Sequence, residues 1–361
     1  MPTSSTDDMV TFDRRSLLLS AMAAAAVVGC SRKGDTKGAK AVHAATAAAK
    51  PKGPADPMWT SFRDLYLAPE GRIVDNGNGG ISHSEGQSYG MLMAVLNNDR
   101  PAFEALLGWT EAHLARVDVA LYSWRYDPRQ ANPVTDTNNA TDGDTVIAWA
   151  LAKAARQWDM PTWEKRSAQI RAAIRDRLVV ERAGQHLLLP GLVGFDHGAA
   201  VTINPSYFVW PALDDFRRFD GPGRWEPVIA TCEALIGAAR FGDHKLPTDW
   251  IYVRNDGVIL PAPDKPAQFG FDAIRVPLFA VAGHRAGLVA PITDYWRAKM
   301  QAGQPIPAWI DVQTGAEAPY PLSAGGMDVV KRLLGEPLLA HEALAADYYG
   351  CVLQLLARFL R

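Results

Sequence analysis

The sequence predicts an all-α protein whose helices follow one another in pairs, with short strands only between them. Apolar residues recur at helical spacing in ten stretches: Tyr89–Leu96, Ala102–Leu114, Thr145–Trp158, Trp163–Leu178, Tyr207–Phe216, Trp225–Ala239, Ile274–Ala282, Ile292–Met300, Val329–Leu334 and Leu344–Leu360. Strand-like stretches are confined to Gly71–Ser82, Leu121–Tyr126 and Ile251–Pro261, the last broken by Asn255-Asp256-Gly257. Strands and helices do not alternate, so a doubly wound sheet is excluded. Successive helices with short connections suggest hairpins packed side by side, and about a dozen such helices can close into a ring of inner helices surrounded by outer ones. An open superhelix fits the same spacing, but no repeat of roughly 34 or 40 residues with shared sequence is present.

The chain has 361 residues, 48% hydrophobic and 21% charged, with a formal net charge of −2, which excludes a disordered or collagen-like chain. With 37 basic against 39 acidic residues there is no excess of positive charge for nucleic acid. Three cysteines make no disulfide framework, and no Cys/His spacing resembles a zinc site. Asp136-Thr137-Asn138 opens like a calcium loop, but Ala140 occupies a required ligand position and no suitable Glu follows. No metal and no cofactor are expected. Cys232 and Cys351 fall in helical stretches and read as buried thiols, with pairing left open for an exported chain.

Residues 1–30 read as an export signal. Arg14-Arg15 precede an uncharged run from Ser16 to Val28, too short to span a bilayer, which takes about 20 residues. The paired arginines resemble a twin-arginine signal, although Asp13 stands where such signals carry Ser or Thr. Val27-Val28-Gly29-Cys30 resembles a bacterial lipobox, with Cys30 as the lipidated residue; cleavage near Ala44–Ala49 is the alternative. Residues 31–56 are rich in Ala, Lys, Gly and Pro and read as a flexible tether. Residues 57–361 read as a single domain, and the expected location is periplasmic, with membrane contact only through a lipid anchor.

Three acids stand at expected helix starts. Ser84 and Gln87 have capping-box spacing, which places Glu85 in a first turn. Thr141 and Asp144 have similar spacing around Asp142, and Asp272 lies close to the start of the stretch at Ile274. Acids at such places complement the helix dipole. Here each also has a glycine beside it or within two residues (Gly86, Gly143, Gly270), where a better helix former would be more stable, and that points to a shared cleft. Asp144 is the weaker candidate within its motif.

The strings SHSEGQSYGM, NNATDGD, NPSY and FGFDAIRVP occur in this order, and with them the chain from Met58 to Arg361 resembles glycoside hydrolase family 8, especially the periplasmic endoglucanases encoded with bacterial cellulose synthase. The resemblance implies an (α/α)6 barrel and hydrolysis of β-1,4-glucan with inversion. It makes Glu85 the general acid, Asp272 the general base, Asp142 the residue that holds the distorted sugar, and Tyr207 a positioner of the attacking water. It also implies a link to cellulose synthesis or export, with the synthase complex as a partner. A helix N-terminus favours ionisation, whereas a general acid must arrive protonated, so ionised neighbours and burial among aromatics have to oppose the dipole at Glu85. Arg275, one turn beyond Asp272, would keep that base ionised.

A glucan offers apolar pyranose faces and equatorial hydroxyls, so flat aromatics beside polar groups are expected to line its cleft. Tyr89, Trp124, Tyr126 and Trp210, together with Arg275, are the candidates for substrate contact, whereas Trp149, Trp158, Trp163 and Trp225 read as core and Trp250 fits either group. Two alternatives accompany an endoglucanase: a hydrolase of the same family acting on chitosan, xylan or mixed-linkage glucan, and a non-catalytic glycan-binding protein. A monomer is expected.

Overall fold

Ten expected helices all form, and each begins or ends within a few residues of its apolar stretch. The computed structural model describes residues 55–338 and 344–360. The export segment, Cys30 and the tether up to residue 54 lie outside the described residues. The helices are α1 (Pro57–Tyr66), α2 (Ser84–Leu96), α3 (Arg100–His113), α4 (Thr141–Trp158), α5 (Pro161–Leu178), α6 (Trp210–Asp220), α7 (Pro222–Ala238), α8 (Arg275–Ala282), α9 (Ala290–Gln301), α10 (Ala324–Leu334) and α11 (Tyr348–Phe359). Helix α1 was not anticipated, although Asp56 caps it, Pro57 opens it, and Trp59, Phe62 and Tyr66 form its buried stripe.

Pairs joined by short connections pack on each other: α2 on α3, α4 on α5, α6 on α7. A second set of contacts links alternate helices, from α2 to α4, α4 to α6, α6 to α8, α8 to α10 and α11, and α11 back to α2. Burial explains the division. In α2, residues 86–95 are buried on every side, and α4 is buried almost continuously from Thr141 to Ala152, whereas α3 and α5 keep polar faces in water. Trp149 and Trp225 are core, and Trp158 and Trp163 pack partly buried against Phe103. Cys232 and Cys351 are buried free thiols.

The strands are short and all pair antiparallel. They are β1 (Ser82–His83) with β2 (Arg125–Tyr126), β3 (Val179–Arg182) with β4 (Gln185–Leu188), the sheet β5 (Ala200–Ile203), β6 (Ile251–Arg254) and β7 (Ile259–Pro261), and β8 (Gln268–Phe269) with β9 (Ile310–Asp311). Gly71–Ser82 is not a strand. Up to Ile81 only isolated bridges form, around a 3-10 turn at Asn76–Asn78 capped by Asp75, and Ser82 alone belongs to a strand, β1.

Two helix starts differ from the expected caps. The cap of α2 is His83, whose Nδ1 accepts from the Gly86 amide, while Gln87 is drawn away to Ile73, Gly71, Leu106 and Thr110. At α4 the Thr141 hydroxyl donates to the Leu189 carbonyl and no side chain caps the helix. In both places a tertiary partner outcompetes the local one.

Candidate active site

Helices α2, α4, α6 and α8 bring their N-terminal ends to one place. Glu85 is in the first turn of α2 and Asp142 in the first turn of α4, Tyr207 ends a 3-10 turn before α6, and Asp272 lies in the turn that leads into α8. The approach of α2 to α4 requires glycine at position 143. A Cβ there would stand 2.4 Å from the Ser84 hydroxyl and 2.9 Å from its backbone carbon.

Arg275 is the hub. Its side chain is 1% exposed, and Nη1 donates to Glu85 Oε2 at 2.8 Å, to the Tyr89 hydroxyl at 3.2 Å and toward Asp142 Oδ2 at 3.5 Å. Nη2 donates to Asp272 Oδ1 at 2.6 Å and to the Ser206 hydroxyl at 3.0 Å. Glu85 and Asp272 therefore occupy opposite ends of one guanidinium, which fixes them as a pair while keeping them apart. The contact expected with Asp272 alone extends to all three acids.

Asp272 has further supports. Asn204 Nδ2 donates to its Oδ2 at 3.1 Å. Asp249 Oδ1 accepts from the amides of Gly270, Asp272 and Ala273 at 3.0, 3.2 and 2.7 Å, and so ties down the turn that carries it. Neither Asp249 nor Asn204 was singled out from the sequence. Asn204 stood in NPSY and was legible there, whereas Asp249 lay in no motif.

Burial and the nearby Glu85 charge push Asp142 up to about 7, against the pull of Arg275 and the Gly143 amide. Burial also raises Asp272, with Glu85 adding to it and Arg275 and Asn204 opposing, while its side chain stays one-third open to solvent. Burial and the Asp272 charge bring Asp249 to about 7. Asp144 is lifted to about 7 by burial, but both its oxygens are engaged, by the Tyr122 amide and by Asn139. Its carboxyl thereby ties α4 to the segment at Tyr122 and to Asn139.

Glu85 and Asp142 open onto a cleft of about 360 Å³, shared with Asn78, His83, Trp124, Arg125 and Tyr207. Trp124 is partly exposed and anchored by an Nε1 bond of 2.7 Å to Asp136. Trp250, edge-on to Tyr207 and stacked on Phe195, extends the aromatic surface. Three sequence candidates for substrate contact are placed elsewhere. Tyr89 is 2% exposed and lies behind the acids, bonded to Arg275. Trp210 is fully buried in the core at the start of α6. Tyr126 lies against Trp109 and His113, in a separate groove with Glu70 and Arg72. Arg275, too, is buried and reaches the cleft only through the acids it holds.

The model of glycosyl hydrolases family 8 matches residues 35–361. Over 292 residues the chain is 41% identical to an endoglucanase of Cellulomonas uda, covering 80% of each. It is 36% identical over 315 residues to a probable endoglucanase of Novacetimonas hansenii, covering 84% of this chain and 90% of the relative. The fold matches the crystal structure of endoglucanase Cel10, a family 8 glycosyl hydrolase from Klebsiella pneumoniae, with a TM-score of 0.81 at 38% identity, over 84% of this chain and 98% of that one.

Proposed function

The chain belongs to glycosyl hydrolase family 8, and from that premise we propose that it is an inverting endo-β-1,4-glucanase built on an (α/α)6 barrel. The observation that carries the mechanism is the placement of Glu85 and Asp272 at opposite ends of the Arg275 guanidinium. Inversion needs one carboxyl that protonates the leaving oxygen and another, about 6.5–9.5 Å away, that activates water on the opposite sugar face. Glu85, at the cleft wall, delivers the proton to the glycosidic oxygen. Asp272 takes a proton from water; its raised basicity suits that task, and the bonds from Arg275 and Asn204 aim it. Asp142 exchanges a proton near neutrality and so can donate to, or accept from, a hydroxyl of the sugar being cleaved. Tyr207 positions the water, and Trp124 and Trp250 offer flat faces to neighbouring sugars. The barrel reading is supported by the neighbour relations that run from α2 around to α11 and back.

The same proposal places the enzyme in the periplasm, exported by the signal at residues 1–30, held by a lipid on Cys30, monomeric, and trimming glucan during cellulose production. The likeness to endoglucanases supports the glucan as substrate.

The test is proton NMR of cellopentaose digestion, following the anomer formed before mutarotation, in wild type and Glu85→Gln. Initial α-anomer from wild type, with hydrolysis reduced at least about hundredfold and binding kept in the variant, is expected. Initial β-anomer, or an active variant, overturns the assignment.

A further inference from the structure

His83 immediately precedes Ser84 and Glu85, and both ring nitrogens are committed. Nε2 meets Asp75 Oδ2 at 3.1 Å, and Nδ1 accepts from the Gly86 amide at 3.1 Å. An amide can only donate, so this geometry requires an unprotonated Nδ1, with the ring hydrogen on Nε2 facing Asp75. The ring lies edge-on to Tyr348 of α11 at 5.4 Å, and its side chain is 14% exposed at the cleft wall. We infer that neutral His83 is a positioning residue for Glu85: it closes the first turn of α2, and its protonation opens that turn and withdraws the acid from its working place. This inference rests on the endoglucanase reading of Glu85.

The surroundings make the position sensitive to pH. Asp75 faces the ring from the preceding loop, Glu85 from its own helix and Asp142 from α4, while Arg125 stands opposite on β2 and Tyr348 presents a neutral ring. Burial alone lowers the histidine, but the Asp75 bond and the three acids outweigh it and raise it above its ordinary value. The imidazolium is thus electrostatically welcome where the helix start needs the neutral ring. An uncharged N-cap such as Ser, Thr or Asn supplies the same acceptor without titrating, so histidine here exchanges a constant cap for a conditional one.

The whole enzyme is assayed for kcat and KM on cellopentaose between pH 4 and 9 as wild type, His83→Asn, His83→Ala and Asp75→Asn. The ring nitrogens of His83 are followed in parallel by 15N NMR, without substrate. In wild type, kcat is expected to rise through an ionisation that coincides with the His83 titration seen by NMR, with the hydrogen on Nε2 above it. His83→Asn keeps an acceptor and moves that limb down by at least one pH unit. His83→Ala lowers kcat about tenfold or more above the His83 titration, with KM changed much less, and converges on wild type below it, since an acid slightly out of place costs rate rather than binding. Should His83→Asn be inactive, Asp75→Asn decides: loss of that charge moves the limb and the NMR titration down together. An acid limb unmoved in His83→Asn or Asp75→Asn, or a hydrogen on Nδ1 at high pH, overturns the inference. No cleavage by wild type beside an intact NMR titration would instead count against the endoglucanase reading.

Discussion

Arg275 and Glu85 lie 190 residues apart in the chain and meet through an Nη1 to Oε2 bond of 2.8 Å. The same buried guanidinium reaches Asp142 and Asp272, so one cation balances three acids. A buried charge that loses its partner is costly, and that cost falls on Asp142, whose side chain is 1% exposed, more than on Glu85 and Asp272, which are partly open to water.

Arg275→Ala is therefore expected to destabilise the enzyme by about 3–5 kcal/mol at pH 8. The penalty shrinks at pH 5, where Asp142, displaced to about 7, carries its own proton. Urea unfolding at both pH values measures this. An equal penalty at both would deny Arg275 its role as counter-charge.

Asp142 contributes to stability with the opposite sign to a salt-bridged acid. Its folded value of about 7 lies above the ordinary 3.8, so the folded chain holds the proton more tightly than the unfolded one. The favourable contribution is full below the ordinary value and is lost as pH rises through about 7. Asp142→Asn should stabilise the fold by about 1–3 kcal/mol at pH 8, leave it unchanged near pH 4, and sharply reduce kcat. Thermal unfolding at the two pH values, beside activity, gives the comparison.

Gly143→Ala places a methyl against the Ser84 hydroxyl and backbone. The expected cost is about 2 kcal/mol, with kcat falling as the starts of α2 and α4 separate. Ser84→Ala in the same chain relieves only the hydroxyl contact, so it should recover part of the stability and not all. Full recovery would mean that the backbones have room to spare.

Asp249→Ala deprives three amides around Asp272 of their acceptor, at about 1–3 kcal/mol, whereas Asp249→Asn keeps an oxygen in place. The expected signature is a large fall of kcat in the alanine variant, little change in KM, and substantial rescue by asparagine. Equal defects in both variants would point to the charge instead of the acceptor.

Much of the scaffold could be read from apolar spacing, because a helix buried on one face repeats its pattern whatever it packs against. The failures lie where distant segments compete for a side chain. Gln87 has the right spacing to cap with Ser84, but Ile73, Gly71 and Thr110 claim its amide. The β3–β4 hairpin turns through Ala183 and Gly184 at positive φ, and its apolar residues, Val179, Val180, Leu187 and Leu188, stand in pairs at its two ends, so no alternating period marks it as a strand. Strands β8 and β9 have two residues each and carry no local period at all. At the site, Glu85, Asp142 and Asp272 converge as their motifs implied. Tyr89 and Trp210 did not reach the cleft, because an aromatic at a helix start gives no sign in one dimension of whether it faces a substrate or a neighbouring helix. Asp249 was invisible for a related reason: its work is done on amides about twenty residues away.

The single guanidinium that gathers the three acids also sets when their cluster can assemble. A ribosome releases Glu85 and Asp142 well before Arg275 and Asp272 exist, and closing so long a stretch of chain is among the slower and entropically costlier steps in folding. Until α8 docks, Glu85 and Asp142 have no Arg275 guanidinium beside them. A chain that ends before the turn leading into α8 lacks both this cation and Asp272, so the cluster is complete only when segments 190 residues apart have come together.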